Sequence, residues 1–132
     1  QPPDAATAVF LGDTMGELPV FLGAADAAFI GGSLEPVGGH NMLEASAQGL
    51  PVTFGPHVFN FATISRMLLD EGAAEQVSDS AALADLLTRW LGDASLRSEV
   101  GERGRKVVAA NRGALEELWV LIEMQRQQAA TQ

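Results

Sequence analysis

Three short apolar runs, at residues 8–11, 27–30 and 51–54, each stop at a glycine pair or a Gly-Asp or Gly-Pro step. That pattern constrains the fold more than any other feature of the chain. Four-residue runs closed by Gly12-Asp13, Gly31-Gly32 and Gly55-Pro56, the third holding one Thr, suit strands and are too short for helices. The segments between them carry helix-start signals. Thr14-x-x-Glu17 and Asn41-x-x-Glu44 have capping-box spacing. They predict helices over 18–25, with Pro19 tolerated in the first turn, and over 41–47, stopping at Gly49. Phe61, Ile64 and Leu68 share one face of a helix over 61–69 that Gly72 closes, and 74–77 reads as a weaker fourth strand. Strands alternating with short helices predict an α/β fold, a Rossmann-like parallel sheet with flanking helices and right-handed crossovers. In such sheets ligands bind beyond the C-terminal ends of the strands, where all three glycine loops fall.

After Ser78 the pattern is helical only. Leu83, Leu86, Leu87, Trp90 and Leu91 form an i, i+3, i+4, i+7, i+8 stripe. Leu96, Val100, Val107 and Val108 imply a second helix ending near Asn111-Arg112-Gly113. Leu115, Leu118, Trp119 and Ile122 imply a third, and the polar tail 125–132 is expected to fray. Length predicts one domain over 1–132, and 47% hydrophobic residues are enough to build its core.

Charge narrows the partners. A net charge of −9 argues against nucleic acid, which needs clustered Lys and Arg. From Gln1 to Ser65 there is no Lys or Arg, and the first cation is Arg66. An anion held by this half must use backbone N–H groups and helix N-termini, or borrow cations from elsewhere. With no cysteine and two histidines, neither a disulfide nor a His-based metal centre is expected. No apolar run approaches the roughly 20 residues that span a bilayer. Residues 1–7 read as a loop inside a longer protein that leads straight into a strand.

The strongest local signal for chemistry is Gly31-Gly32-Ser33 followed by Gly38-Gly39-His40-Asn41. Glycines let backbone approach a bulky ligand, and free N–H groups at a helix start favour an anion; the same glycines also serve a plain tight loop. Glu44 either caps Asn41 reciprocally or accepts hydrogen bonds from two sugar hydroxyls. Asp13 faces a ligand or begins a turn, and Glu17 opposite Thr14 reads as structural. His40 and His57 are loop residues with ligand potential. Phe59-Asn60-Phe61 either walls a pocket or pins a helix start with Asn60 as its cap.

The stretch 31–44, GGSLEPVGGHNMLE, resembles that of the 3-deoxy-D-manno-octulosonic acid (Kdo) transferases. GDTMGEL at 12–18, GPHVFNF at 55–61 and NRGAL at 111–115 resemble three further blocks of that family in the same order, and the likeness runs from about Val9 to Ile122. Met42 stands where proline is common in the family.

The resemblance implies the C-terminal, nucleotide-sugar-binding domain of a two-domain GT-B glycosyltransferase. The donor is CMP-Kdo and the acceptor a lipid A precursor, at the cytoplasmic face of the bacterial inner membrane. By the same resemblance Gly38, Gly39, His40 and Asn41 line the phosphate side and Glu44 takes the ribose hydroxyls. Ser33 and the Asp13-Thr14-Met15 turn lie near the nucleotide. The base is a glutamate of an N-terminal domain that also carries the membrane anchor and a basic contact to the donor. Transfer is inverting, with no metal and no cofactor, and residues 1–132 alone are inert.

Two other readings fit the residues. A GT-B enzyme or nucleotide-sugar epimerase domain with a UDP-sugar would prefer UDP over CMP. A non-catalytic α/β interaction module would bind no nucleotide, and it has no need of glycine loops at three strand ends. An open sheet edge would allow a homo-oligomer.

Overall fold

The computed structural model describes residues 18–130. The expected first strand at 8–11 and the turn bearing Asp13, Thr14 and Met15 lie outside them. Within them the chain runs α1 (Leu18–Ala24), β1 (Ala28–Phe29), α2 (Leu43–Ala47), β2 (Val52–Phe54), a 3-10 turn (Phe59–Phe61), α3 (Ala62–Asp70), β3 (Ala74–Gln76), α4 (Ser80–Leu91) and α5 (Ala94–Ala130). The three strands form one parallel sheet in the order β1-β2-β3, with Ala28 opposite Val52, and Val52 opposite Ala74. The α/β reading and all three strands within the described residues therefore hold. Because the strands are parallel, the loops that leave β1 and β2 emerge at the same edge.

The central strand is the most deeply buried. Val52, Thr53 and Phe54 are fully enclosed, and Ile30, Met42, Ala45, Leu68, Ala73 and Val107 close around them. A second cluster joins Val77, Leu86, Trp90 and Val100 where α4 meets α5. Asp79 starts α4, its Oδ1 accepting from Ala82 N–H at 2.8 Å. Of the five-residue stripe expected on α4, Leu86 and Trp90 are buried, Leu83 and Leu87 are half-buried, and Leu91 faces solvent.

Thr53 contributes an unusual element to this core. Its hydroxyl is buried with no hydrogen-bond partner. An unpaired buried hydroxyl loses its hydration without recompense, so Thr53→Val, which keeps the β-branched shape, should raise stability by about 1 kcal/mol. A higher urea midpoint at unchanged slope would show it, and a lower midpoint would refute it.

The helices differ from expectation in three places. Asn60 does not cap α3: it lies inside the 3-10 turn, and the position before α3 is Phe61, with no side-chain cap. Asn41 does not open α2, which begins two residues later and is only five residues long. The two helices expected after residue 94 are one, and α5 runs unbroken through Asn111-Arg112-Gly113 and through the tail that was expected to fray. Glycine ends a helix by taking a left-handed φ, as Gly72 does at +68° after α3; Gly113 does not, and nothing lies within 4 Å of where its Cβ would be. Beyond it Trp119 is 63% exposed, and Val120, Leu121 and Ile122 also face solvent. Trp119 and Ile122, two of the residues that implied a third helix, therefore lie on an open surface.

Candidate functional site

The loop between β1 and α2 is built from within by glycine geometry and from without by its neighbour loop. Gly38 and Gly39 have φ of +111° and +80°, a region that other residues rarely adopt. Gly39 N–H donates to Gly32 O at 2.9 Å, which folds the loop back on its own start. A Cβ on Gly38 would overlap the Asn60 amide and sit 2.7 Å from the Phe59 ring. Asn60 N–H also donates to Gly38 O at 3.2 Å. The Phe59-Asn60-Phe61 cluster thus clamps the glycine loop, a role that neither sequence reading foresaw; Phe59 also lines a cleft and Phe61 packs against the core, while Asn60 is not the cap.

Ser33 ties the loops together from below. Its fully buried hydroxyl donates to Ile30 O at 2.5 Å and accepts from Gly55 N–H at 2.8 Å, while its carbonyl accepts from His57 N–H at 2.9 Å. The hydroxyl has no exposed surface to offer a ligand. Its work here is to hold the end of β1 to the end of β2. Gly55 permits that approach, since a Cβ there would overlap the Ser33 carbonyl. The sequence marked Gly55 only as a turn residue; the contact across 22 positions leaves no local signal.

Other candidate residues reach the surface together. His40 and Asn41 are exposed, and the His40 ring lies over the backbone of Gly31 and Gly32. Asn41 Oδ1 accepts from Leu43 N–H at 3.0 Å, an Asx turn that sets the entry into α2. The reciprocal half of the expected capping box is not made. Among the described residues the Glu44 carboxylate accepts no hydrogen bond, and it stands exposed in the first turn of α2. Gly38, Gly39, His40, Asn41 and Glu44 thus occupy one continuous segment at the C-terminal edge of the sheet. Since α2 is so short, its dipole adds little, and within the loop Gly38 and Gly39 are buried, with Gly39 N–H already given to Gly32 O.

A cleft of about 340 Å³ opens on the other side of the clamp, between the loop after β2 and the outer face of α3. Arg66 lines it together with His57, Ser65 and Gln76. Arg66 is exposed, and no ion pair of it occurs among the described residues. The sequence had marked three of its lining residues: Arg66 as the first cation, His57 for its ligand potential and Phe59 as a possible pocket wall.

The family model described as glycosyl transferases group 1 matches residues 5–107. The 3-deoxy-D-manno-octulosonic acid transferase of Haemophilus influenzae is 43% identical over 122 residues, covering 92% of this chain and 29% of that protein. The enzyme of the same name from Bordetella pertussis is 42% identical over 106 residues, covering 80% of this chain and 25% of its own length. The chain therefore spans less than a third of the curated relatives it matches. The crystal structure of the C-terminal CMP-Kdo binding domain of WaaA from Acinetobacter baumannii superposes with a TM-score of 0.77 at 36% identity, covering 82% of this chain and 56% of that one. These relatives lend nothing to the UDP-sugar or non-catalytic readings. With a family model over most of its length and Kdo transferases as relatives, the chain belongs to the group 1 glycosyl transferases, in the branch that its four motif blocks resemble.

Proposed function

We infer that this chain is the donor-binding part of a Kdo transferase, which moves Kdo from CMP-Kdo to a lipid A precursor in lipopolysaccharide assembly. The observation that carries this reading is the likeness, at 36% identity and a TM-score of 0.77, to a domain whose name states that it binds CMP-Kdo. In this reading the backbone of Gly38 and Gly39 approaches the CMP phosphate, with His40 and Asn41 beside it. Glu44, exposed and unpaired among the described residues, accepts hydrogen bonds from the ribose hydroxyls. Ser33 shapes the loop from beneath, and the Asp13-Thr14-Met15 turn completes the nucleotide side.

A glutamate of a preceding domain serves as base. It removes the proton of the acceptor hydroxyl, whose oxygen attacks the anomeric carbon as the C–O bond to CMP breaks, inverting the centre. The leaving CMP carries its charge against backbone N–H groups and a cation. The same preceding domain holds the acceptor and associates with the cytoplasmic face of the inner membrane. No helix among the described residues is long and apolar enough to cross a membrane.

Titration with CMP, with UMP and UDP as controls, tests the reading. Amide shifts confined to 38–44 and 13–15, strongest with CMP, are the expected result. Equal or stronger shifts with UDP would sink it. Glu44→Ala should weaken CMP binding about tenfold, the loss of a charged hydrogen-bond acceptor. It should leave thermal stability within about 0.5 kcal/mol, because no cap is lost. A clear drop in stability with unchanged CMP affinity would return Glu44 to a structural role.

A further inference from the structure

We propose that Arg66 is a specificity-determining residue that receives the carboxylate of the donor's sugar acid, in the cleft between the loop after β2 and α3. The inference rests on the donor-binding reading and adds to it the part of the site that faces the sugar.

The argument starts from charge. A donor that joins a nucleoside monophosphate to a sugar acid brings two anionic groups, and in the donor-binding reading the glycine loop and the residues beside it take the phosphate. No Lys or Arg in residues 1–65 answers the other. Arg66 is the first cation the chain supplies, and it sits on the first turns of α3, facing the cleft.

Its surroundings fit an acidic sugar. The cleft, at about 340 Å³, falls at the small end of the range for small-molecule sites. It is walled by the exposed Phe59 and offers His57, Ser65, Asp70 and Gln76 to hydroxyl groups. Gln76 is held in place, its Nε2 donating to Gly55 O at 3.2 Å. Asp70 lies one turn along α3 and lines the same cleft, yet no ion pair joins it to Arg66 among the described residues. The guanidinium is therefore not neutralised, and its planar fork matches a carboxylate in two parallel hydrogen bonds.

The cleft is also joined to the nucleotide side by backbone. The segment 57–60 that lines it is the one that clamps the glycine loop, through His57 N–H to Ser33 O and Asn60 N–H to Gly38 O. A donor with its phosphate on the loop would reach the cleft across Phe59.

The test compares CMP with CMP-Kdo on the wild-type chain, Arg66→Gln and Arg66→Lys, by calorimetry. The wild-type chain should bind CMP-Kdo more tightly than CMP. Arg66→Gln should weaken CMP-Kdo about tenfold while leaving CMP within about twofold. Arg66→Lys should fall between, since it keeps the charge and loses the fork. An equal loss for both ligands would place the cation on the phosphate and overturn the assignment, as would no loss for either. If the wild-type chain bound no CMP, the donor-binding reading would fall and this one with it. CMP binding that is blind to Arg66 would remove this proposal alone.

Discussion

Gly101→Ala is expected to destabilise the domain by about 3 kcal/mol, lowering the melting temperature by about 10 °C. The sign runs against helix propensity, by which alanine in place of an interior glycine should gain about 1 kcal/mol. Packing decides the matter. A Cβ on Gly101 would overlap the carbonyl oxygen of Gly49 and lie 2.6 Å from its carbon. Both partners are backbone, so no side chain can swing aside. The contact is part of a seam: one turn on, a Cβ on Gly104 would lie 3.3 Å from the Ser46 Cβ, and Arg105 Nη2 reaches Gln48 O at 3.4 Å. To admit the methyl group α5 must move off the end of α2, opening the core around Val107 and Ala45. The control is Gly113→Ala on the same helix, where nothing lies within 4 Å and the propensity gain of about 1 kcal/mol should appear. If both variants melted higher than the parent, the close approach of α5 to α2 would be wrong.

Much of this arrangement was legible in the sequence, and the reason separates what was read from what was missed. Period and punctuation are local: short runs closed by glycine gave β1 and β2 their places, and the Leu83–Leu91 stripe marked α4. The glycine loop was legible as a loop for the same reason. The features that failed are those decided by a distant neighbour. Asn60 has a cap's composition, but its side chain packs on Gly38, 22 positions earlier. Asn41 and Glu44 have capping-box spacing, but the chain enters α2 through an Asx turn, and the carboxylate is left free among the described residues. The stop at Asn111-Arg112-Gly113 has the right residues for a helix end and lacks the packed reversal that would enforce one. Ser33 was placed near a ligand by resemblance alone; only the structure shows its hydroxyl committed to Ile30 and Gly55. The family blocks carried the functional reading, because ordered motifs record a three-dimensional site that spacing rules cannot assemble.

That committed hydroxyl leads to the second large effect, on Gly55. Gly55→Ala should cost about 3 kcal/mol of stability and weaken CMP binding by more than about tenfold. A Cβ there would overlap the Ser33 carbonyl oxygen and lie 2.6 Å from its carbon and 2.7 Å from Leu34 N. It would have to displace the joint between the two strand-end loops, where Gly55 N–H and His57 N–H both donate to Ser33. Ser33→Ala breaks the same joint more gently. It leaves the buried Gly55 N–H without a partner, at a cost of about 2 kcal/mol, and adds no volume. The pair therefore separates two roles. If the joint sets the loop's binding geometry, both variants should lose CMP affinity, Gly55→Ala more than Ser33→Ala, at temperatures where urea unfolding shows both still folded. If the joint serves stability alone, both should melt lower yet bind CMP as the parent does. In that event the glycine loop takes its shape from Gly38, Gly39 and the Asn60 clamp, without help from β2.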